Sequence, residues 1–132
     1  MNPQTTIRTG DVLTRKKADN LITHVGVALA PDLVLHNTPE KGEHLGTLQE
    51  FADGKPVTLH RLGADPSIVL TRAQAILASP QRYHPIKNNC EHTASKVVSG
   101  ISESSQAAFW GMIALIVGVM VFVFFAVRKQ RA

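Results

Sequence analysis

Cysteine is almost absent from this chain. The 132 residues contain only Cys90, so no disulfide can form within the chain, and a single thiol is compatible with a reducing compartment. Aromatic residues make up 5% of the sequence, which argues against a surface that stacks nucleic-acid bases. Internal repeats are lacking as well. A chain of this length has room for one domain.

The net charge of +4 does not indicate a nucleic-acid partner. Residues 1–106 carry eleven basic and ten acidic side chains, which leaves a net charge of only +1. The remaining charge comes from Arg128, Lys129 and Arg131 near the C-terminus. A short basic segment of this kind suits the anionic headgroups of a membrane.

A long stretch without charge precedes the basic residues. Residues 107–127 contain no charged side chain and would span about 31 Å as a helix, close to the hydrocarbon thickness of about 30 Å. This predicts one transmembrane helix, with a buried core helix as the alternative. Residues 1–4 lack the apolar region of a signal peptide, so we expect a tail anchor with the preceding domain in the cytosol. By the positive-inside rule, however, the three basic residues favour the opposite orientation, with the C-terminus in the cytosol.

The remaining sequence predicts an α+β fold with a small antiparallel sheet. Alternating or β-branched stretches predict strands at 12–14, 23–30, 33–36 and 56–62, and residues 37–54 are predicted to form a long loop with a short turn near 48–51. Asp65-Pro66 begins a predicted helix over 67–77, because aspartate is a good N-cap and proline suits the first turn. Asn89 is predicted to cap a second helix that runs to Val98 and stops at Gly100.

Cys90 is the first candidate for chemistry, because it follows a loop at the predicted start of a helix. Thiolate is the nucleophilic form of cysteine, and a helix N-terminus stabilises negative charge and offers N–H groups to an oxyanion. A thiol enzyme also needs an imidazole base and a polar group that orients it. If the chain turns at Pro31-Asp32, His24 and His36 fall near each other on one face of a hairpin.

Each candidate also has a structural interpretation. A buried lone cysteine is often an inert apolar side chain, and a strand histidine often makes ordinary hydrogen bonds. A zinc site formed by Cys90 and two histidines lacks the short-spaced ligand pairs typical of such sites. His92 lies about 200° around the helix from Cys90, which predicts a structural role. The other histidines, which lack a partner pattern, are predicted to be structural or on the surface: His44, His60 and His84.

The motifs together resemble a known family. Gly10-Asp11-Val12, then His24 and His36, then Asn89-Cys90-Glu91-His92 are similar to the lecithin:retinol acyltransferase-like domain. This family includes phospholipase A and acyltransferase enzymes with a C-terminal membrane anchor. The resemblance implies a circularly permuted papain-like fold, related to the NlpC-type peptidases. It implies Cys90 as nucleophile, His24 as general base and His36 as the residue that holds the imidazole, with no metal or organic cofactor.

The implied function is cleavage of a glycerophospholipid ester through an acyl thioester, which is passed to water or to another acceptor. The expected partners are a membrane phospholipid and the bilayer, and no nucleic acid. The alternatives are a cysteine peptidase or amidase of the same fold, or a non-enzymatic membrane adaptor. The expected organisation is a catalytic domain over 1–100, a polar linker over 101–106, the transmembrane helix over 107–127 and a basic tail over 128–132. Thr93, where the family often has an aromatic residue, leaves the specificity open.

Overall fold

Five strands form one antiparallel sheet in the order β4-β3-β2-β1-β5. The computed structural model describes residues 6–130, so residues 1–5 of the predicted catalytic domain and residues 131–132 of the predicted basic tail lie outside the described residues. The strands, in chain order, are β1 (Val12–Lys16), β2 (Thr23–Ala30), β3 (Leu33–Thr38), β4 (Gly42–Gly46) and β5 (Thr58–His60).

Four helices complete the described chain: α1 (Leu48–Ala52), α2 (Pro66–Ala78), α3 (Cys90–Ser99) and α4 (Ser105–Gln130). The predicted α+β class with a small antiparallel sheet is therefore confirmed. The predicted N-caps of two helices are also confirmed, because Asp65 caps α2 and Asn89 caps α3 through their side-chain oxygens. Helix α3 ends at Gly100, whose φ of 81° suits a residue without a Cβ.

The predicted loop over residues 37–54 is wrong, because this segment contains both β4 and α1. The sequence of β4, Gly-Glu-His-Leu-Gly, has no β-branched residue, and its strand conformation is held by pairing with β3 along its length. Strand β1 is also longer than the predicted 12–14, because Arg15 and Lys16 extend it and pair with His24 and Thr23 of β2.

The sheet has a hydrophobic cluster on each face. Strand residues Val25, Val27 and Leu35 pack with side chains of α2 and α3 in one cluster. The other cluster is centred on Phe51 of α1, which is fully buried. A Cβ on Gly26 would lie 2.8 Å from the Phe51 ring, so glycine at this strand position is what lets Phe51 pack against the sheet.

Helix α4 is an apolar helix whose N-terminal part contacts the folded domain. Its 26 residues include none that is buried against the rest of the described chain. The helix begins at Ser105, two residues before the predicted span, and it is long and apolar enough to cross a membrane.

Candidate thiol site

Cys90 is the first residue of α3, directly after a fully formed cap. The Asn89 side-chain oxygen accepts hydrogen bonds from the N–H groups of Glu91 (3.0 Å) and His92 (3.2 Å). In return, Nδ1 of His92 accepts a hydrogen bond from the Asn89 N–H at 3.2 Å. His92 thus completes a capping box and has a structural contact. Two N–H groups that could have faced an oxyanion are consequently occupied by Asn89.

The Cys90 thiol is buried, with 3% of the residue exposed. Its Sγ lies 3.9 Å from the carbonyl oxygen of Thr23, to which the S–H donates. Burial raises the pKa of the Cys90 thiol, and this effect outweighs the backbone donors from Val25 and Glu91 that lower it. At neutral pH the resting thiol is therefore protonated, despite its place at a helix N-terminus.

His24 and His36 form a buried pair on neighbouring strands. His36 lies opposite Gly26 in the β2–β3 ladder, so His24 is its diagonal neighbour, and His24 Nε2 lies 3.0 Å from His36 Nδ1. Burial lowers the pKa of His24 to about 3 and the pKa of His36 to about 4. Both imidazoles are neutral at pH 7, which is the protonation state that a general base needs.

The thiol and the histidine pair approach β2 from different sides. Cys90 packs in the cluster that contains Val25, whereas the His24 ring stacks on Phe51 with 5.2 Å between ring centroids. Adjacent residues of a strand point to opposite faces of the sheet. The side chains of Val25 and His24 therefore lie on different faces, and Cys90 lies on the Val25 side. Within residues 6–130 no hydrogen bond joins Cys90 Sγ to His24. Of the three predicted residues, the structure brings His24 and His36 together. Cys90 lies instead against Thr23, the residue that precedes His24.

Cys90 and His24 also line different cavities. The cavity at Cys90 has a volume of about 270 Å³ and is mostly apolar, with Ile22, Tyr83 and Ile86 on the domain side and Trp110 and Ala114 contributed by α4. The cavity at His24, of about 420 Å³, is lined largely by charged side chains. Lys17 lines both cavities, so one basic side chain lies between them.

The beginning of α4 is fastened to this site by hydrogen bonds. The Gln106 side chain donates to Thr23 O and accepts from Thr23 N, both at 3.0 Å. The Glu91 carboxylate accepts from the Gln106 N–H at 2.9 Å and from the hydroxyls of Ser104 and Ser105. The sequence did not predict that Glu91 holds the beginning of α4.

Two more groups of residues were missed because β4 was not predicted. Glu43 and Thr93 form a buried network with Asn37: Thr93 Oγ1 donates to Glu43 Oε1 at 3.0 Å and accepts from Asn37 Nδ2 at 3.1 Å. Separately, the only described group of three side chains able to hold a metal ion is His36, His44 and Glu50. Cys90 does not belong to it, so the zinc alternative that combined Cys90 with two histidines is not formed in the described residues. Pairing His36 with His44 from sequence would have required recognition of β4.

No protein-family model matches the chain, and no curated protein matches it significantly in sequence.

Proposed function

We propose that this chain is a membrane-anchored thiol acyl hydrolase or acyltransferase that acts on glycerophospholipids, with Cys90 as nucleophile, His24 as base and His36 as the residue that orients the base. The proposal includes a circularly permuted papain-like arrangement of these residues. It combines the motif resemblance with the position of the thiol relative to α4.

The apolar cavity at Cys90 carries the proposal. Trp110 and Ala114 of α4 form part of its wall, so the thiol lies where the folded domain meets the helix that could enter a membrane. An acyl chain leaving a bilayer along α4 would reach Cys90 through a mostly apolar cavity in which Lys17 is the charged lining residue. A peptide substrate has no comparable use for this lining, which favours a lipid ester over a peptide bond.

In the proposed reaction, His24 Nδ1 takes the proton of the Cys90 thiol, and Sγ attacks the ester carbonyl carbon. The carbon–oxygen bond to glycerol then breaks, and the lysophospholipid oxygen leaves with the proton from His24. The acyl thioester on Sγ is next attacked by water, an amine or a hydroxyl, which restores the thiol and yields a fatty acid or a transferred acyl group. No step needs a metal ion or an organic cofactor.

Because Cys90 and the His24 ring lie on opposite sides of β2 at rest, the reaction requires a rearrangement that frees the thiol from Thr23 O and brings it and the His24 ring to the same side of the strand. No hydrogen bond to His24 Nδ1 is formed within residues 6–130, so this nitrogen is free to receive the proton when Nε2–H donates to His36. Catalytic hydrogen bonds often tighten only when substrate is bound, and substrate in the cavity would displace the S–H from its carbonyl acceptor.

A non-enzymatic adaptor is the second candidate, favoured by the resting geometry. The thiol is buried, its pKa is raised, and His24 packs on Phe51 rather than on Cys90. In that case, the histidine pair and Cys90 would serve only to build the two cores of the domain. The two candidates differ in whether Cys90 ever carries an acyl group.

The full chain in phosphatidylcholine vesicles tests the proposal by release of fatty acid and lysophospholipid. We expect release by the wild type, none by Cys90→Ser, and a loss of at least 100-fold in His24→Gln, since general-base catalysis contributes about 10²–10⁴-fold. His60→Gln, a histidine change on the exposed edge strand β5, should retain full activity. An acyl adduct on Cys90 by mass spectrometry would exclude the adaptor. Equal release by Cys90→Ser would overturn the thiol mechanism, and cleavage of peptide amides alone would favour the peptidase.

The proposed topology places α4 across the membrane and the preceding domain in the cytosol, where a free thiol stays reduced. Protease added to sealed microsomes should digest an epitope placed before residue 100 and spare one placed after α4. The opposite pattern of protection would reverse the orientation.

A further inference from the structure

A group of potential metal ligands lies on the side of His36 that faces away from His24. His36 on β3 and His44 on β4 are direct partners in the ladder, and their ring centroids are 4.2 Å apart. Glu50 of α1 lies beside this pair, with its Oε1 3.7 Å from His44 Nε2. One nitrogen of each histidine and one carboxylate oxygen of Glu50 all lie within 4.8 Å of one another.

Each of the two histidines has one ring nitrogen that no other group in the described chain contacts by a hydrogen bond. Nε2 of His36 and Nε2 of His44 are both buried and have no hydrogen-bond partner within residues 6–130. His36 is only 3% exposed. His44 Nδ1–H donates to the carbonyl oxygen of Gly42 at 2.8 Å, which leaves Nε2 of the neutral ring as an acceptor. A ligating histidine commonly donates its other N–H to a backbone carbonyl in this way.

Gly46 keeps the space between these ligands open. A Cβ at this position would lie 2.8 Å from His36 Nε2 and 2.9 Å from Glu50 Oε2. Any larger residue would therefore fill the point where the ligands converge. Two unpartnered buried nitrogens are costly to a fold, and a small cation at this point would satisfy both of them once the His36 ring proton is on Nδ1.

Lys41 is the cation that contacts Glu50 in the structure. Its Nζ forms an ion pair with Glu50 Oε1, and the Lys41 side chain is 58% exposed. An exposed ion pair of this kind contributes little to stability, so a divalent ion that binds two imidazoles as well would displace the ammonium group.

We propose that His36 Nε2, His44 Nε2 and Glu50 form a binding site for a divalent transition metal ion, with zinc as the best match. Two imidazoles and one carboxylate are a common zinc ligand set, and water would fill the fourth position. With metal–ligand distances of about 2.0–2.1 Å, a tetrahedral ion holds its ligand atoms about 3.3 Å apart. The ligand atoms would reach this spacing mainly by movement of the half-exposed Glu50 side chain.

Metal at this site would invert the hydrogen bond between the two buried histidines. In the tautomer that the proposed reaction requires, His24 Nε2–H donates to His36 Nδ1, and His24 Nδ1 keeps its lone pair. Metal on His36 Nε2 requires the ring proton to be on Nδ1, which then donates to His24 Nε2 and places the His24 proton on Nδ1. Each ring keeps one proton. This consequence rests on the proposed function: His24 Nδ1 could no longer accept the thiol proton, so zinc would inhibit the enzyme.

Zinc titration of the full chain in phosphatidylcholine nanodiscs tests the site directly. The protein carries Cys90→Ser, so that the thiol cannot bind zinc. It has no polyhistidine tag. A chromogenic chelator competes with the protein for zinc. We expect one zinc per chain, at least tenfold weaker binding in Glu50→Gln and in His44→Gln, and no change in Glu40→Gln or His60→Gln. Lys41→Met should bind as tightly or more tightly, and Gly46→Ala should lose binding with all three ligands still present.

Absence of stoichiometric zinc binding, or equal binding by Glu50→Gln and Glu40→Gln, would overturn the metal site. Imidazole ¹⁵N resonances of His24 and His36 separately report which nitrogen carries the proton. A shift of the His24 proton from Nε2 to Nδ1 on zinc binding supports the coupling, and an unchanged pattern overturns it. This readout does not depend on lipid hydrolysis, so it distinguishes failure of the metal site from failure of the proposed enzyme. In the active protein, zinc should inhibit the wild type but spare Glu50→Gln.

Discussion

Gln106 and Thr23 are joined by a pair of hydrogen bonds, each 3.0 Å long, in which the side-chain amide pairs with the strand backbone. The amide thereby takes the place of a neighbouring strand at the start of β2. The same Thr23 carbonyl accepts from the Cys90 thiol. One peptide group therefore contacts both the beginning of the apolar helix and the candidate nucleophile, so the position of α4 bears on the environment of the thiol.

Gln106→Ala should loosen this junction. Removing the amide takes one hydrogen bond from the Thr23 N–H and one from the Thr23 carbonyl, and each hydrogen bond contributes about 0.5–1.5 kcal/mol. We expect a loss of about 1–3 kcal/mol in the free energy of unfolding in micelles. Because Cys90 is the only cysteine, maleimide labelling reports its exposure, and its rate should rise severalfold. Gln74→Ala on the exposed face of α2 is the matched control, and equal labelling rates in the two variants would contradict the coupling.

The elements that the sequence predicted correctly are those with strong local signals. Thr23–Ala30 alternates and is rich in valine, and Asp65 and Asn89 are side chains that cap helices by themselves. Strand β4 has no such signal, because two of its five residues are glycine and its conformation depends on pairing with β3. The intrinsic strand propensity of its residues therefore could not predict β4.

The candidate site was predictable to the same extent. The spacing of His24 and His36 around a turn correctly predicted that they share a face of the hairpin. In the structure, His24 Nε2 lies 3.0 Å from His36 Nδ1. Cys90 reaches β2 through packing of α3, and the face that it approaches depends on the side chains of Val25 and Phe51 on either side of the strand. That choice is made by the tertiary fold, which spacing along the chain does not encode.

The raised pKa of the Cys90 thiol predicts slow alkylation at neutral pH. Only the thiolate reacts, so the rate with iodoacetamide should rise steadily with pH and still be rising at pH 10, where a cysteine with the unperturbed pKa of about 8.5 has levelled off. The measurement is a series of alkylation rates from pH 6 to pH 10 on the full chain in micelles. A rate that is already maximal at pH 6 would instead indicate a thiolate paired with a protonated His24, contrary to the resting geometry.

Thr93→Val should destabilise the fold although the two side chains have nearly the same shape. Thr93 is 1% exposed, and its hydroxyl bridges the buried Asn37 and Glu43 side chains. Valine leaves the Glu43 carboxylate without this donor, which we expect to cost about 1–3 kcal/mol in the free energy of unfolding. Thr71→Val on α2 removes an exposed hydroxyl that bonds to Ser67 O, and it should cost much less. Equal losses would show that the buried network contributes nothing beyond packing.

Acidification should destabilise the domain through His24 and His36. Their pKa values of about 3 and about 4 lie below the ordinary value of 6.5, so the fold favours the neutral rings. Their contribution is complete above pH 6.5 and is lost as the pH falls toward these lower values, because the unfolded chain then binds protons that the folded chain does not.

Chemical unfolding of the full chain in micelles with a chelator present, between pH 7 and pH 4, measures this effect. The wild type should lose on the order of a few kcal/mol more than a His24→Gln/His36→Gln variant over this range. Most carboxylates titrate equally in both proteins, so the difference isolates the histidine pair. His60→Gln should keep the wild-type pH dependence, since it leaves the pair intact. If the double variant lost stability as steeply as the wild type, the two rings would not be buried in their neutral form.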